Sequence, residues 1–259
     1  MKKPTLAALF ALCCFAAEAQ RSPPRVLFVG NSLTYVNNVP ELVQKMAAAQ
    51  GIELEVQAIT GGGMKLEDHL RAQAVALALK RYGFAAMVLQ EQSANSAVKP
   101  SSFNDSVKQL SALANTAKTQ TVLFVGWARA DLEAEGMTQQ NWDVSAETAA
   151  VLSGAKLAPV GTAWANAVKA GVAITQLRQA DGVHAMPAGS YLAALTIYAS
   201  LLNKNPAGLA ATFSVSPSAT DQDLSQPVKL EPELARTLQS VAWKTVQAVK
   251  PQLRPTPLK

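Results

Sequence analysis

Five short apolar runs punctuate the chain: "RVLFVG" (25–30), "IELEVQAI" (52–59), "FAAMVLQ" (84–90), "TVLFVGW" (121–127) and the weaker "KLAPV" (156–160). Runs of four to eight apolar residues bounded by turn residues suit strands buried on both faces. The segments between them carry helical spacing. "PELVQKMAAAQG" offers Pro40 as a first helical position and Gly51 as a terminator. "LEDHLRAQAVALALKRYG" runs with helical spacing to Gly83, and "SSFNDSVKQLSALANTAKT" and "MTQQNWDVSAETAAVLSG" continue the alternation. After "PAGSYLAALTIYASLLNKNP" a polar stretch, Ser214 to Gln226, precedes a last helix over Glu231 to Val249. The tail "KPQLRPTPLK" is expected to fray. Alternation of this kind predicts a parallel sheet of about five strands with helices on both faces. In such folds ligands sit at the carboxyl ends of the strands, so the chemistry is sought directly after each run.

The first residues stand apart from this pattern. In "MKKPTLAALFALCCFAAEAQ", Lys2 and Lys3 make a basic start, Leu6 to Ala16 an apolar core, and Ala17-Glu18-Ala19 an A-x-A cleavage site. That layout is a secretory signal peptide over 1–19, too short for a membrane span, and it implies a secreted or periplasmic protein. A lipid anchor on Cys13 or Cys14 is the rival, which the bulky Phe10 and Leu12 before them fit poorly. Residues 20–259 then form a single domain long enough for a substantial core. Both cysteines fall in the leader, so the mature domain has no disulfide framework and no thiol catalysis.

Charge adds little. Without Lys2, Lys3 and Glu18 the formal net charge falls from +5 to +4, and no basic cluster is interleaved with aromatics. Nucleic acid is therefore not an expected partner. No further run is long and apolar enough to cross a bilayer, and there is no internal repeat or low-complexity region.

After the first run come Gly30, Asn31, Ser32, Leu33 and Thr34. A Gly-Asn-Ser tripeptide is most often a turn; the sharper reading is a serine nucleophile at a strand-to-helix turn. The elbow pattern G-x-S-x-G is not met, because Thr34 stands where its last glycine belongs, which disfavours an ordinary α/β-hydrolase. After the second run, "TGGG" lets backbone N–H groups approach a ligand closely, as an oxyanion donor must, or is simply a flexible loop. The spacing of a dinucleotide-binding fingerprint is missing. The third run ends in "LQEQSANS", where a side-chain amide at the sheet rim could donate to an oxyanion. The fourth ends in "GWARAD", where Trp127 and Arg129 could shape a substrate pocket, although Trp127 also suits the core.

Far downstream, "QADGVHAMPAGSYLAAL" places Asp181 and His184 three apart in a loop that leads into a helix. A carboxylate so placed can hold an imidazole in one tautomer and stabilise its cation. The other histidine, His69, sits within an amphipathic helix and reads as a surface or supporting residue rather than the base. Two separated histidines without further ligands at recognisable spacing make no zinc site, and no metal is expected.

Together these residues resemble the SGNH (GDSL-type) hydrolases. "GNSLT" resembles the family's first block with Asn31 in place of the more familiar Asp, "TGGG" stands for the glycine block, and "DGVH" matches the D-x-x-H block. The third block departs: "QEQS" replaces the usual Gly-x-Asn and is reminiscent of a Gln-Gly-Glu variant in some carbohydrate acetylesterases. "LQEQS", "APVGTAW" and "DGVHAMPAGSYLAA" also look like an exported bacterial subgroup. The resemblance covers most of the mature chain. It implies a flavodoxin-like three-layer α/β sandwich and a cofactor-free esterase. Ser32 would be its nucleophile, His184 its base and Asp181 the orienting carboxylate. The implied oxyanion hole comprises the Ser32 N–H, a glycine N–H (Gly62, otherwise Gly63) and an amide for which Gln90 and Gln92 compete, with Asn95 third. Asn31, Trp127 and Arg129 would border the substrate. The expected substrate is a small-molecule or carbohydrate ester, an acetylated carbohydrate among them. A binding module that keeps the fold without catalysis, and a lipase or thioesterase on the same scaffold, are the alternatives. Oligomeric state is not legible.

Overall fold

Residues 25–30 alternate between two separate apolar environments, and this alternation organises the molecule. Val26 and Phe28 join one buried cluster, Leu27 and Val29 another. Because successive strand side chains point to opposite faces, a strand buried twice must be apolar throughout. The computed structural model describes residues 22–217 and 226–258. The expected leader over 1–19, with Cys13 and Cys14, and most of the polar stretch 214–226 lie outside the described residues.

Along the chain the elements are β1 (Arg25–Gly30), α1 (Ser32–Tyr35), α2 (Val39–Ala48), β2 (Glu55–Thr60), α3 (Leu66–Ala72), α4 (Ala74–Arg81) and β3 (Ala86–Leu89). There follow α5 (Asn95–Val98), α6 (Pro100–Thr116), β4 (Gln120–Phe124), α7 (Ala130–Ala134), α8 (Gln139–Ser153), β5 (Lys156–Ala158) and α9 (Val160–Lys169). The last are α10 (Ile174–Leu177), α11 (Pro187–Leu202), β6 (Thr212–Phe213), β7 (Val228–Lys229) and α12 (Pro232–Ala248). Strands β1 to β5 form one parallel sheet in the order β2-β1-β3-β4-β5. Helices α2, α9, α11 and α12 pack on one face, while α3, α4, α6 and α8 contribute to the cluster on the other. The result is the expected three-layer sandwich. β6 and β7 pair separately as a short antiparallel ribbon.

Strand order reverses at β1, whose neighbours are β2 on one side and β3 on the other. The loops after β1 and β3 therefore diverge and leave a crevice at the carboxyl edge, the usual ligand position in such sheets. Helix α11 fixes what reaches that crevice from the far end of the sequence. Every residue from Ala188 to Leu202 is buried, and a helix that is apolar all round has to lie inside. The loop entering α11 is thus tied to one of the most deeply held elements.

Several boundaries differ from expectation. β2 has only β1 beside it and is partly exposed, because it is the edge strand. The helix expected up to Gly83 is two helices, broken where Gln73 adopts a left-handed conformation (φ 56°). The fourth apolar run leaves the sheet after Phe124, so Val125 to Trp127 belong to a loop. In "KLAPV", Pro159 ends the strand and N-caps α9, a helix the apolar pattern did not suggest. The C-terminal tail does not fray. Leu253 is buried, the Leu258 N–H donates to Leu201 O (2.9 Å), and Gln120 exchanges two hydrogen bonds with Thr256 (2.6 and 3.1 Å). A short proline-rich segment becomes ordered when it can bury leucines and pair its backbone.

Among the described residues no helix is long and apolar enough to cross a membrane, and no group of three or more His, Cys, Asp or Glu is placed to hold a metal ion. The docked tail carries a test. Leu253→Ala should lower the unfolding free energy by about 2–4 kcal/mol, read from urea denaturation. An unchanged midpoint would show that the tail adds nothing to the core.

Candidate active site

The turn after β1 is built around a missing side chain. A Cβ on Gly30 would lie 2.5 Å from Gln90 Oε1 and 2.6 Å from Thr34 Oγ1, so only glycine fits. Asn31 then N-caps α1. Its Oδ1 accepts from the Leu33 N–H (3.2 Å) and its Nδ2 donates to Met64 O (2.8 Å). Ser32 is the first residue of α1, so its N–H lacks an intrahelical acceptor. The side chain of Ser32 is only half-buried, while Leu33 to Asn37 beyond it are buried.

The second half of the site comes from the loop before α11. Asp181 Oδ1 accepts the N–H groups of Val183 (2.9 Å) and His184 (3.0 Å), folding the loop around its own carboxylate. Gly182 has a φ of 75° and packs against Ala130, where a Cβ would come within 2.8 Å of the alanine Cβ. The Gln179 N–H donates to His184 O (2.8 Å), the Ala130 N–H to Gly182 O (3.1 Å), and the Met186 N–H to Leu177 O (2.9 Å). Trp127 Nε1–H donates to Val183 O (2.9 Å) and Asn37 Nδ2 to Ala185 O (3.3 Å). Few degrees of freedom remain.

These two turns bring Ser32, His184 and Asp181 into line. Asp181 Oδ2 lies 2.6 Å from His184 Nδ1, and His184 Nε2 lies 2.9 Å from Ser32 Oγ. Since Oδ2 of an ionised carboxylate only accepts, it fixes the ring proton on Nδ1 and leaves Nε2 free to accept from the serine hydroxyl. Partial burial works against the Asp181 carboxylate. The hydrogen bonds from the His184 ring and from the Val183 and His184 N–H groups outweigh it, holding the group below its ordinary value. Asp181 is therefore ionised throughout the neutral range.

The other candidates are distributed unevenly. Gly62 and Gly63 are exposed at the end of β2, and Gly62 lies against the Tyr35 hydroxyl of α1, 3.4 Å from where a Cβ would stand. Gln90, expected to compete as an oxyanion donor, is 1% exposed and held through both its oxygen and its nitrogen. Its Oε1 accepts from the Asn31 N–H and Thr34 Oγ1 (2.9 Å each), and its Nε2 donates to Glu91 O. It lies beneath the Ser32 turn, buried out of a substrate's reach. Gln92 differs: its Oε1 is pinned by the N–H groups of Ala94 (2.9 Å) and Asn95 (3.1 Å), while its Nε2 makes only a long contact to Ser93 Oγ (3.4 Å). Asn95 is buried beside Glu91, away from solvent. Asn31 is 2% exposed and caps α1 rather than bordering a pocket. Trp127 is buried away from Ser32, stacked on Trp164 with ring centroids 4.0 Å apart and nearly parallel planes, and borders a separate cavity.

Arg129 remains at the rim. Its guanidinium binds both Asp131 oxygens (2.9 and 2.7 Å) and Ser93 Oγ (3.1 Å), bridging the ends of β4 and β3. The Arg129 contact pushes the Asp131 carboxyl down to about 2. Sequence reasoning missed Asn37, whose Nδ2 also donates to Ser190 Oγ (2.9 Å) and so links the region after α1 to α11. The Asn37-Asn38 pair was the available signal, since asparagine tolerates the left-handed conformation that both adopt. Sequence reasoning also left His69 without a role. It is 1% exposed, with Nε2 2.9 Å from Gly30 O.

A cavity of about 770 Å³ lies behind the His184 loop, between α8, α9 and α10, bordered by Trp127, Gln139, Asp143, Trp164 and Arg178. Ser32 and His184 do not line it. Most of its polar groups are already paired: Asp143 Oδ1 accepts from Gln139 Nε2 and Thr162 Oγ1 (3.0 Å each), and Arg178 holds Ala128 O and Glu133.

Among solved structures, the chain is similar to one described as an SGNH hydrolase from Slackia heliotrinireducens, at 33% identity over 68% of this chain and 98% of that one, with a TM-score of 0.57. A DUF4886 family protein from Bacteroides uniformis matches 88% of this chain and 96% of its own at 21% identity, TM-score 0.66. An acetyl xylan esterase from Geobacillus stearothermophilus shares the fold at 12% identity, covering 68% of this chain and 92% of its own, TM-score 0.51. No protein-family model and no curated protein matches the sequence.

Asp143 provides a test of the electrostatics around the cavity. Burial pushes its carboxyl above the ordinary value of 3.8 despite its two hydrogen bonds, and Glu147 adds to the rise. An acid whose folded value is raised costs stability above that value and nothing below its unfolded one. Asp143→Asn, which keeps Oδ1, should therefore melt higher than wild type at pH 7, and the gain should vanish as pH falls below about 3.8. Thermal melts at pH 7 and pH 3.5 decide it; a gain that persists at the lower pH contradicts the assignment.

Proposed function

The chain belongs to the SGNH hydrolases, and on that premise we propose that it is a serine esterase in which Ser32, His184 and Asp181 make and break an acyl-enzyme. One observation carries the reading: the 2.6 Å and 2.9 Å contacts that join carboxylate, imidazole and hydroxyl in a single line. In the first step Ser32 Oγ attacks the ester carbonyl while His184 Nε2 takes the hydroxyl proton. The tetrahedral intermediate collapses as His184 returns that proton to the departing alcohol, leaving an acyl-serine. Water, deprotonated by the same Nε2, attacks the acyl carbon; the acyl–Oγ bond breaks as His184 returns that proton to Ser32 Oγ, releasing the carboxylic acid. Asp181 stays ionised and balances the imidazolium in both halves.

The negative oxygen of the intermediate is held by the Ser32 N–H, the Gly62 N–H and the Gln92 amide. Gly62 is favoured over Gly63 by its place against Tyr35 of α1. Gln92 is favoured over Gln90 because its Nε2 makes only a long contact and its side chain is less deeply buried, whereas Gln90 is 1% exposed and donates to Glu91 O. Each such donor contributes roughly 3 kcal/mol in other serine hydrolases.

The substrate class we propose is a short-chain ester of a carbohydrate, an O-acetyl group above all. The leader-like residues 1–19 support export, and acetylated polysaccharides are extracellular esters. The side chains of His184 and Asp181 are 25% and 45% exposed, so the site opens to solvent and admits the bulky alcohol side of such a substrate. The fold shared with an acetyl xylan esterase accords with this choice.

Ser32→Ala and His184→Ala should each reduce hydrolysis of p-nitrophenyl acetate at least ~10³-fold; full activity in either refutes the assignment. Asp181→Asn should also lower kcat, by no more than those two. Gln92→Ala should lower kcat by about 10²-fold, and an unaltered rate removes Gln92 from the oxyanion hole. On model esters, activity should fall from acetyl to octanoyl; a rise would make the protein a lipase or thioesterase instead.

A further inference from the structure

The peptide group between Gly30 and Asn31 is gripped at both ends by buried side chains that the reaction itself does not use. His69 Nε2 lies 2.9 Å from its carbonyl oxygen, and Gln90 Oε1 accepts its N–H at 2.9 Å. Both side chains are 1% exposed. Gln90 Oε1 also accepts from Thr34 Oγ1 on the next turn of chain (2.9 Å), while its own Nε2 is spent on Glu91 O. Since the carbonyl of Gly30 can only accept, the proton of the His69 ring must sit on Nε2, and that nitrogen cannot take a proton from a substrate. Burial lowers the tendency of His69 to become charged, against the opposing pull of the Gly30 carbonyl and Asp68.

From this geometry we propose that His69 and Gln90 are positioning residues that set the orientation of the Gly30–Asn31 peptide and, through it, of Ser32. The proposal rests on Ser32 being the nucleophile. A peptide unit is planar and rigid, so fixing its C=O and its N–H fixes ψ of residue 30 and φ of residue 31 together. That constraint has to come from outside the turn. Gly30 lacks a Cβ because Gln90 and Thr34 occupy its place, and a glycine restricts its own backbone least of all residues. The Gly30 carbonyl also accepts the Gly61 N–H at the end of the β1–β2 ladder (3.3 Å), and His69 and Gln90 supply the further restriction that glycine gives up. One comes from α3, beyond the glycine loop, and the other from the end of β3, so the turn is registered against a packed helix and a neighbouring strand. If the grip is loosened, Ser32 Oγ spends less time within 2.9 Å of His184 Nε2. Displacements of this size slow the chemical step and leave substrate binding largely alone.

The test compares side chains at position 69 in the full-length protein. Glutamine places its Nε2 the same number of bonds from Cα as histidine does. Asparagine is one bond shorter, and leucine has no donor. With p-nitrophenyl acetate, and rates normalised to the folded fraction, His69→Leu and His69→Asn should lower kcat about 10- to 100-fold with KM little changed. His69→Gln should recover most of that loss, and Gln90→Met, which removes the acceptor at similar length, should reproduce the leucine result. Wild-type kcat in His69→Leu, or equal damage in the Gln and Asn variants, overturns the proposal. Should the leucine variant fail to fold, the Gln–Asn pair decides, since both keep an amide and differ in reach. Ser32→Ala in the same assay separates the two levels. If it is inactive while His69→Leu is unimpaired, only the positioning role falls; if it retains activity, the nucleophile and the positioning role fall together.

Discussion

The contact between His184 Nε2 and Ser32 Oγ joins residues 152 apart in sequence, and the architecture is what makes it possible. Neither residue lies on a long regular element that could hold it alone. Ser32 opens a four-residue helix directly after β1, and His184 sits in a loop before α11. A 2.9 Å hydrogen bond between two such places requires each turn to be rigid and each to be anchored to a deep element. β1 is an interior strand, paired on both sides and buried on both faces. α11 is buried along almost its whole length, so the loop at its start inherits its position.

The two turns reach rigidity by different chemistry. Around Asp181 the carboxylate is shared: one oxygen folds the loop on its own backbone and the other orients the imidazole. Shape and proton position thus depend on one ionised group, which explains why its hydrogen bonds hold it below the ordinary carboxylate range. Around Ser32 the restraint is supplied by side chains from neighbouring elements, because the glycine that the close approach demands cannot restrain itself. The indole of Trp127 belongs to the same scheme. Buried against Trp164, it spends its polar edge on Val183 O, so a core aromatic pair steadies the residue beside His184.

Much of this was legible in the sequence, for identifiable reasons. Doubly buried strands need unbroken apolar runs, and all five runs became strands of the one sheet. The D-x-x-H spacing puts carboxylate and imidazole within reach of each other in any tight loop, so the pairing of Asp181 with His184 needed no long-range information. The roles at the end of β3 were not legible. Gln90 and Gln92 are the same residue type two positions apart, and the chain leaves β3 after Leu89, so the irregular backbone that follows, not strand alternation, sends one beneath the Ser32 turn and leaves the other near the rim. His69 was obscured in a similar way. A histidine in an amphipathic pattern reads as a surface or supporting residue, and only the packing of α3 under the end of β1 buries it. The docked tail and the break at Gln73 depend on tertiary contacts and on one backbone conformation that composition does not encode.

What remains central is that one hydroxyl is chemically activated. Reaction of the purified protein with a fluorophosphonate, followed by peptide mass spectrometry, reads this directly, because a stable phosphonyl adduct forms only on an activated nucleophile. The account predicts a single stoichiometric adduct on Ser32, lost when His184 is replaced by alanine. An unlabelled protein, or an adduct on another residue with Ser32 unmodified, would contradict it.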